Sequence, residues 1–287
     1  MANTFDVVLD KALPRLRKYL PRTPGGDRLY HKVLFLRKHH RLPNGKALWN
    51  DMWFRVKTSA EIDDPLRVFV SDKEHVKQYV EATIGDRYNV PTIAVLRSAA
   101  EVDAFDFPPE CCIKPTQASA QVILRRNGEP VDRERIKRWF AINYYEVGRE
   151  RNYRRLKPKV IVEPLIFDST NVEDFKFFCF HGKPKIIQLD VDRYINHTRK
   201  YFDASWNELD FSIIYPRATG AFAKPACFEE MLDVARRLSA RFSFVRIDLY
   251  SDGRQILVGE ITNCSENAGG FFVPASAEET ASALMFG

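Results

Sequence analysis

The stretch Val245-Arg246-Ile247-Asp248-Leu249-Tyr250, a Ser251-Asp252-Gly253 turn, and then Leu257-Val258-Gly259-Glu260-Ile261-Thr262-Asn263 constrains this chain more than any other. It reads as two apolar strands joined as a hairpin, each carrying one carboxylate where a core would take none. A buried carboxylate is costly unless it is paired with a cation or bound to a metal. Asp248 and Glu260 therefore read as two oxygen ligands for a hard divalent metal, with Arg246 on the same strand face as Asp248. This reading carries a geometric condition. A loop of three or five residues puts Asp248 and Glu260 on one face. A two-residue Asp252-Gly253 loop puts them on opposite faces unless a bulge intervenes.

At 287 residues, 45% of them hydrophobic, the chain can form one large domain or two modest ones. No apolar run approaches the ~20 residues of a membrane span. Met1-Ala2-Asn3-Thr4-Phe5-Asp6 lacks the basic start and apolar run of a signal peptide. The five cysteines are scattered without CxxC spacing, which predicts a reduced, cytoplasmic protein whose cysteines are small core residues. Charge is uneven. Residues 1–57 hold 13 Lys/Arg and 4 Asp/Glu, for +9; the rest hold 31 and 34, for −3. Such asymmetry suits a polyanionic partner or an anionic membrane surface, and equally a solvated basic helix face. No nucleic-acid recognition motif accompanies it, so no nucleic-acid partner is expected.

Apolar residues from Phe5 to Leu20 recur at helical spacing, and Pro21 ends that helix. Pro24-Gly25-Gly26-Asp27 reads as a loop, Leu29 to Lys38 as a basic helix, and Trp49 to Phe54 as a further packed segment. Ser71 and Glu74 form a capping-box pattern ahead of a helix over His75 to Thr83. Short strands are expected at Thr92–Leu96, Cys111–Lys114, Gln121–Arg125, Val160–Val162, Phe175–Phe180, Lys185–Asp190, Val245–Tyr250 and Gln255–Ile261, with helices at Asp132–Asn143 and Phe228–Arg241. His181-Gly182-Lys183-Pro184 is a hairpin turn. Hairpins interrupted by helices give an α+β class.

In order, the chain presents Asp72-Lys73, Ile113-Lys114-Pro115, Val162-Glu163-Pro164-Leu165, Asp174-Phe175-Lys176-Phe177, Arg246-Ile247-Asp248 and Gly259-Glu260-Ile261-Thr262. That order resembles the ATP-grasp superfamily. From about Leu42 to Asn263 it is similar to the TupA-like branch, associated with teichuronopeptide-type surface polymers. Ser71-Asp72-Lys73, Glu173 to Pro184 and Asp192-Arg193-Tyr194-Ile195-Asn196-His197-Thr198-Arg199 carry that likeness. The resemblance implies an ATP-grasp fold, with a basic helical region over 1–64, a first lobe over 65–165 and a second over 166–287, the lobes clasping ATP. It implies ATP contacts from Lys73, Lys114, Glu163, Asp174 and Lys176. Mg²⁺ would be held by Asp248 and Glu260, with Thr262 or Asn263 adding a neutral oxygen. Arg246 would steady developing negative charge, and Arg193, His197 and Arg199 would face substrate or the γ-phosphate. Phosphoryl transfer is mostly positioning and charge neutralisation, which suits many cations and few nucleophiles.

Taken singly, these residues have plainer readings. Lys114 also reads as a strand-end surface lysine, Glu163 as the end of an edge strand, Asp174 as a cap, Lys176 as a solvent-facing alternate, and the Asp190–Arg199 group as salt bridges. Cys264, with no basic partner in the sequence, reads as a packed thiol. Two departures from the family stand out. Lys114-Pro115-Thr116-Gln117-Ala118-Ser119-Ala120-Gln121 has no glycine where a phosphate-closing loop is usual, so φ > 0 is costly there. Asn263 to Phe272 replaces the usual ending after Glu260, with Gly269-Gly270 as a candidate anion loop, which points to an altered acceptor. The implied activity is a carboxylate–amine ligase acting on a carboxylate substrate and an amine acceptor, as a small molecule or on an anionic glycan at the inner membrane face. A kinase on the same fold and a non-catalytic binding module are the competing readings.

Overall fold

The computed structural model describes residues 4–167, 172–192 and 195–287. The chain opens with helices α1 (Thr4–Tyr19), α2 (Pro24–His39), α3 (Trp49–Thr58), α4 (Pro65–Val70) and α5 (His75–Ile84). The expected loop at Pro24-Gly25-Gly26 is instead the first turn of α2. Thr23 caps it by accepting from Gly26 N, and Pro24 sits at the position where a missing N–H costs nothing. The cap of α5 also differs from expectation. Asp72 Oδ1 accepts from Glu74 N at 2.9 Å and His75 N at 3.3 Å, while Ser71 Oγ donates back to Arg67 O.

Strands β1 (Ala94–Leu96), β2 (Cys111–Pro115), β3 (Ile123–Arg125) and β4 (Val160–Glu163) form a sheet of order β1-β4-β2-β3. Helices α6 (Ala99–Ala104) and α7 (Arg133–Arg138) cover one face of it. There Val102, Ile136 and Trp139 bury Cys111, Ile113, Val160 and Val162. Alternation turns Cys112 and Lys114 to the other face. Helix α8 (Tyr144–Gly148) precedes β4.

Strands β5 (Glu173–Phe180), β6 (Lys183–Val191), β7 (Thr198–Asp203), β9 (Phe244–Ser251) and β10 (Ile256–Thr262) form a second antiparallel sheet, ordered β10-β9-β5-β6-β7. A two-residue His181-Gly182 turn, both at positive φ, joins β5 to β6. Strands β8 (Ser212–Ile213) and β11 (Phe272–Val273) pair separately. Helix α9 (Phe228–Ser239) packs Phe228, Met231, Val234 and Leu238 on Phe175, Phe177, Ile187, Val245, Ile247 and Leu249. The opposite face is apolar at one end, where Trp49 and Trp53 of α3 and Met285 of α10 (Ala277–Phe286) pack on Phe178, Ile186 and Phe244. Trp53 stacks on Phe244 at 3.7 Å between ring centroids. Helix α3, with Phe35 of α2, is thus built into the core of this sheet. The other end of the same face is charged and looks into the site.

Candidate active site

The charged end follows from register. Lys176 of β5 lies opposite Asp248 of β9, and Asp248 lies opposite Glu260 of β10. Asp174 lies opposite Asp190 of β6, which lies opposite Arg199 of β7. Arg246 and Thr262 form the next pair along. The condition set by the hairpin is met by a bulge. The β9–β10 loop spans four residues, Asp252 to Gln255, and the register shifts between Val258 and Glu260. Gly259 is the extra residue, so Val258 and Ile261 both reach the α9 core while Glu260 comes level with Asp248. A side chain at Gly259 would meet the Tyr250 ring, with Cε2 2.7 Å from an added Cβ.

Like charges directly opposite each other on a sheet destabilise it. Here Asp174, Asp190 and Asp248 are each matched by a cation, and Glu260 is bonded by a hydroxyl. Arg246 grips Asp248 in a two-point pair, Nε to Oδ1 and Nη2 to Oδ2, both at 2.7 Å. It also donates to Ser265 Oγ at 2.9 Å and Thr262 Oγ1 at 3.1 Å. Thr262 Oγ1 in turn donates to Glu260 Oε1 at 2.9 Å. Lys176 pairs with Asp174 and lies 3.3 Å from Asp190 and 3.7 Å from Asp248. Asp190 further meets Arg199 Nε at 3.0 Å, His197 Nε2 at 3.2 Å and Gln188 Nε2 at 2.7 Å. Burial works against these charges, but the partners outweigh it. Lys176 is raised by Asp174, Asp248 and Asp190, and Asp190 is held well below the usual carboxylate range by Lys176 and Arg199.

Across the cleft, Glu163 at the end of β4 is nearly fully buried and takes one lysine on each oxygen. Lys77 of α5 sits on Oε1 and Lys114 of β2 on Oε2, both at 2.6 Å. Burial pushes Glu163 up, yet Lys114 and Lys77 bring it below its ordinary value. Lys114 is lowered by burial and raised by Glu163, with a net rise. Lys77 ends lower than usual, because burial outweighs the same carboxylate. Lys73 donates to Ala118 O at 2.6 Å, tying itself to the glycine-free loop. In that loop Ala120 adopts φ +60°, the strained conformation the missing glycine would have eased.

Lys73, Lys114, Glu163, Asp174, Asp190 and Glu260 line one cleft of about 330 Å³. Val90, Leu124, Leu165 and Ile166 line it as well. Apolar and charged surfaces in one cleft suit a ligand with a flat base and a polyanionic tail. Asp248 and Glu260 fit Mg²⁺, which takes one or two carboxylates plus substrate phosphates, once Arg246 shares Asp248.

The structure brings Asp174, Lys176, Asp190, His197, Arg199, Arg246, Asp248, Glu260 and Thr262 to one sheet face. Asn263 is not among them, which corrects its reading as a metal ligand. As the neighbour of Thr262 it points to the other face. Its Oδ1 accepts from Arg67 Nη1 at 2.9 Å, and its Nδ2 donates to Arg67 O and Ser71 Oγ. Arg193 lies outside the described residues. Sequence reasoning missed Lys77, a lysine on α5 that nothing nearby in the chain sets apart. It also missed Gln188 and Ser265.

A cleft between two antiparallel sheets, with lysines on one wall and paired carboxylates on the other, is the arrangement of the ATP-grasp class. A family model described as TupA-like ATPgrasp matches residues 53–284, and the chain belongs to that family. A search of curated proteins gave no match. Among solved structures, D-alanine–D-alanine ligase from Helicobacter pylori is similar at 16% identity and a TM-score of 0.41, over 70% of this chain and 56% of that one. The ATP-grasp ligase PsnB, complexed with a phosphomimetic variant of its minimal precursor, Mg and ADP, is similar at 12% identity and a TM-score of 0.44, over 90% and 68%. The D-cycloserine synthetase DcsG is similar at 16% and 0.39, over 71% and 65%. The chain spans little more than half the length of the Helicobacter ligase.

Proposed function

We propose that the chain is an ATP-dependent carboxylate–amine ligase. ATP would place its base against Val90, Leu165 and Ile166 and its phosphates between Lys114 and the Asp248–Glu260 pair. Lys114 and Lys176 would neutralise phosphate oxygens, and Lys77 would keep Glu163 charge-balanced when Lys114 turns to the nucleotide. Mg²⁺ held by Asp248, Glu260 and Thr262 would supply charge neutralisation at the phosphates. Arg246, fixed by Asp248, Thr262 and Ser265, would stabilise the negative charge developing as the γ-phosphoryl group passes to a substrate carboxylate. An amine would then attack the acyl phosphate, forming the C–N bond as phosphate leaves. No covalent nucleophile of the chain is required.

The observation that carries the reading is the bulge at Gly259, which sets Glu260 beside Asp248 on the face that already holds Arg246 and Lys176. The TupA-like membership supports an amine or acid drawn from a cell-surface polysaccharide, such as a uronic acid, with a natural-product precursor as the other candidate. Exposed Lys11, Arg15, Lys18, Arg28 and Lys32 on α1 and α2 suit an anionic polymer or leaflet. Among the described residues no helix is long and apolar enough to cross a membrane.

Calorimetry of ATP binding with and without Mg²⁺, on the wild type, Glu260→Ala and Lys114→Ala, tests the nucleotide site. Binding that needs Mg²⁺ and weakens in both variants supports it; wild-type binding indifferent to Mg²⁺ refutes it. ADP release that depends on an added amine, with an amide product, then separates the ligase from a kinase.

A further inference from the structure

Helix α1 carries four cations, Lys11, Arg15, Arg17 and Lys18, against two acids, Asp6 and Asp10. Both acids are taken by α2. Arg37 lies 2.8 Å from Asp10 and 3.6 Å from Asp6, and His40 lies 3.6 Å from Asp6. Among the described residues Lys11, Arg15 and Lys18 therefore have no acidic partner. Leu9, Leu13 and Leu16 are half-buried where α1 packs on α2. On the opposite side, Val7, Lys11 and Lys18 fall in one row at i, i+4 and i+11, and Val8, Arg15 and Tyr19 in the row beside it. All six are exposed, Val8 at 58% and Tyr19 at 73%. Lys18 Nζ stands 5.2 Å over the Tyr19 ring. The same helical hairpin adds exposed Arg28, Leu29 and Lys32 from α2.

This face is presented by a fixed helix. Arg149 is 1% exposed and reaches the end of α1, donating from Nη2 to Leu20 O at 2.6 Å and Arg17 O at 2.9 Å. Its Nη1 donates to Pro21 O at 3.0 Å and to the buried Asp27 at 2.9 Å. The carbonyls that a helix leaves open at its C-terminus are thus closed by a buried ion pair. Arg37 ties the other half of α1 to α2 through Asp6 and Asp10.

We propose that the outer face of α1, with Arg28, Leu29 and Lys32 of α2, docks on an anionic phospholipid leaflet. The interleaving of charge and apolar surface selects a leaflet over a soluble polyanion. A polyanion in water pairs with the cations and gains nothing from Val7, Val8 and Tyr19. At a leaflet those side chains leave water for the headgroup boundary, where a tyrosine ring keeps its hydroxyl wet, while the lysines and arginines stay level with the phosphates. The helix lies on the surface; among the described residues none is long and apolar enough to cross it. No residue of the cleft takes part, so the docking stands apart from the ligase reading.

Co-sedimentation of the full chain with vesicles tests it, using phosphatidylcholine alone and phosphatidylcholine with about 30% phosphatidylglycerol, each at about 0.1 M and about 0.5 M salt. Binding is expected on the anionic vesicles only, and to fall at the higher salt. At about fivefold for each cation, Lys11→Gln, Arg15→Gln and Lys18→Gln together should weaken it about a hundredfold and leave ATP binding unchanged. Val8→Ser with Tyr19→Ser should weaken vesicle binding about tenfold and leave binding to soluble polygalacturonate as it was. Melts matching the wild type confirm that these surface variants fold; if they do not, the wild-type comparison of vesicles and salts decides alone. Wild type that ignores anionic vesicles, or binds neutral ones equally, overturns the proposal. So does vesicle binding indifferent to Val8→Ser with Tyr19→Ser, which would make the face a surface for soluble polyanions. The assay needs no nucleotide, so failure to bind ATP would count against the ligase reading alone.

Discussion

Replacing Lys176 with Met removes the one cation among the described residues that pairs with Asp174, Asp190 and Asp248 together. Taking away one partner of a buried ion pair costs about 3–5 kcal/mol, because the remaining charge stays buried. Asp190 keeps Arg199 and His197, and Asp248 keeps Arg246, so the lower end applies. About 3 kcal/mol in a chain of this size lowers Tm by about 6–9 °C. The loss depends on pH. Lys176 has its pKa raised on folding, so its contribution is complete below its unfolded value and disappears only as pH rises through the higher folded value. At pH 7.5 the whole effect is therefore present. Asp190 has its pKa lowered on folding, so it stabilises above its unfolded value and loses that contribution as pH falls through the folded one. Without Lys176 the folded value climbs, Asp190 protonates sooner, and the variant's deficit shrinks as pH falls below the ordinary carboxylate range, about pH 4. Thermal melts of wild type and Lys176→Met at about pH 7.5 and about pH 3 measure this. Millimolar Mg²⁺ should restore more stability to the variant than to the wild type, since it replaces a missing positive charge. A Tm drop under about 2 °C, or an equal drop at both pH values, would refute the charge-ladder account.

Gly259→Ala should weaken ATP binding about tenfold, because the new methyl drives the Tyr250 ring into the cleft; Tyr250→Ala in the same chain should recover most of it, read by calorimetry. Asn263→Ala should cost about 2–3 kcal/mol in a denaturant melt by stripping Arg67 and Ser71 of a partner, yet leave the Mg²⁺ dependence of ATP binding intact. Glu260→Gln should do the reverse, melting near the wild type and losing the metal dependence. Burial pushes the Cys179 and Cys264 thiols up to about 12, so iodoacetamide at pH 8 should leave both unlabelled until the chain is unfolded, as peptide mass mapping would show.

What the sequence disclosed and what it hid divide along a physical line. Asp248 and Glu260 were legible because a carboxylate inside an apolar alternation violates a local rule, and the rule names its remedies. The bulge was legible as one of two conditions, since side-chain alternation fixes which face each residue takes. Asn263 was misread against that same alternation: two adjacent strand residues cannot both face one metal, and Thr262 had the site face. Strand β7 went unseen because Arg199, Lys200 and Asp203 give it the charge of a loop, although tertiary pairing buries Arg199 and Lys200. Lys77 was hidden for a different reason. Nothing near it in the chain distinguishes it from a solvated charge, and its partner Glu163 arrives only when distant elements pack. The carboxylates legible from the pattern alone, Asp248 and Glu260, sit on the second sheet, where register places them; Lys114 and Glu163, on the first sheet, were legible only through the family resemblance. Lys77, on α5, depends on how that helix closes against the first sheet. Lys77 and Lys114 sharing Glu163, and Arg246 and Lys176 holding the acidic ladder, keep both walls charge-balanced before any nucleotide enters. On the proposed site, ATP binding would therefore be an exchange of partners among charges already buried. Its affinity should respond to the pairing residues Lys77 and Arg246 as strongly as to those that touch phosphate.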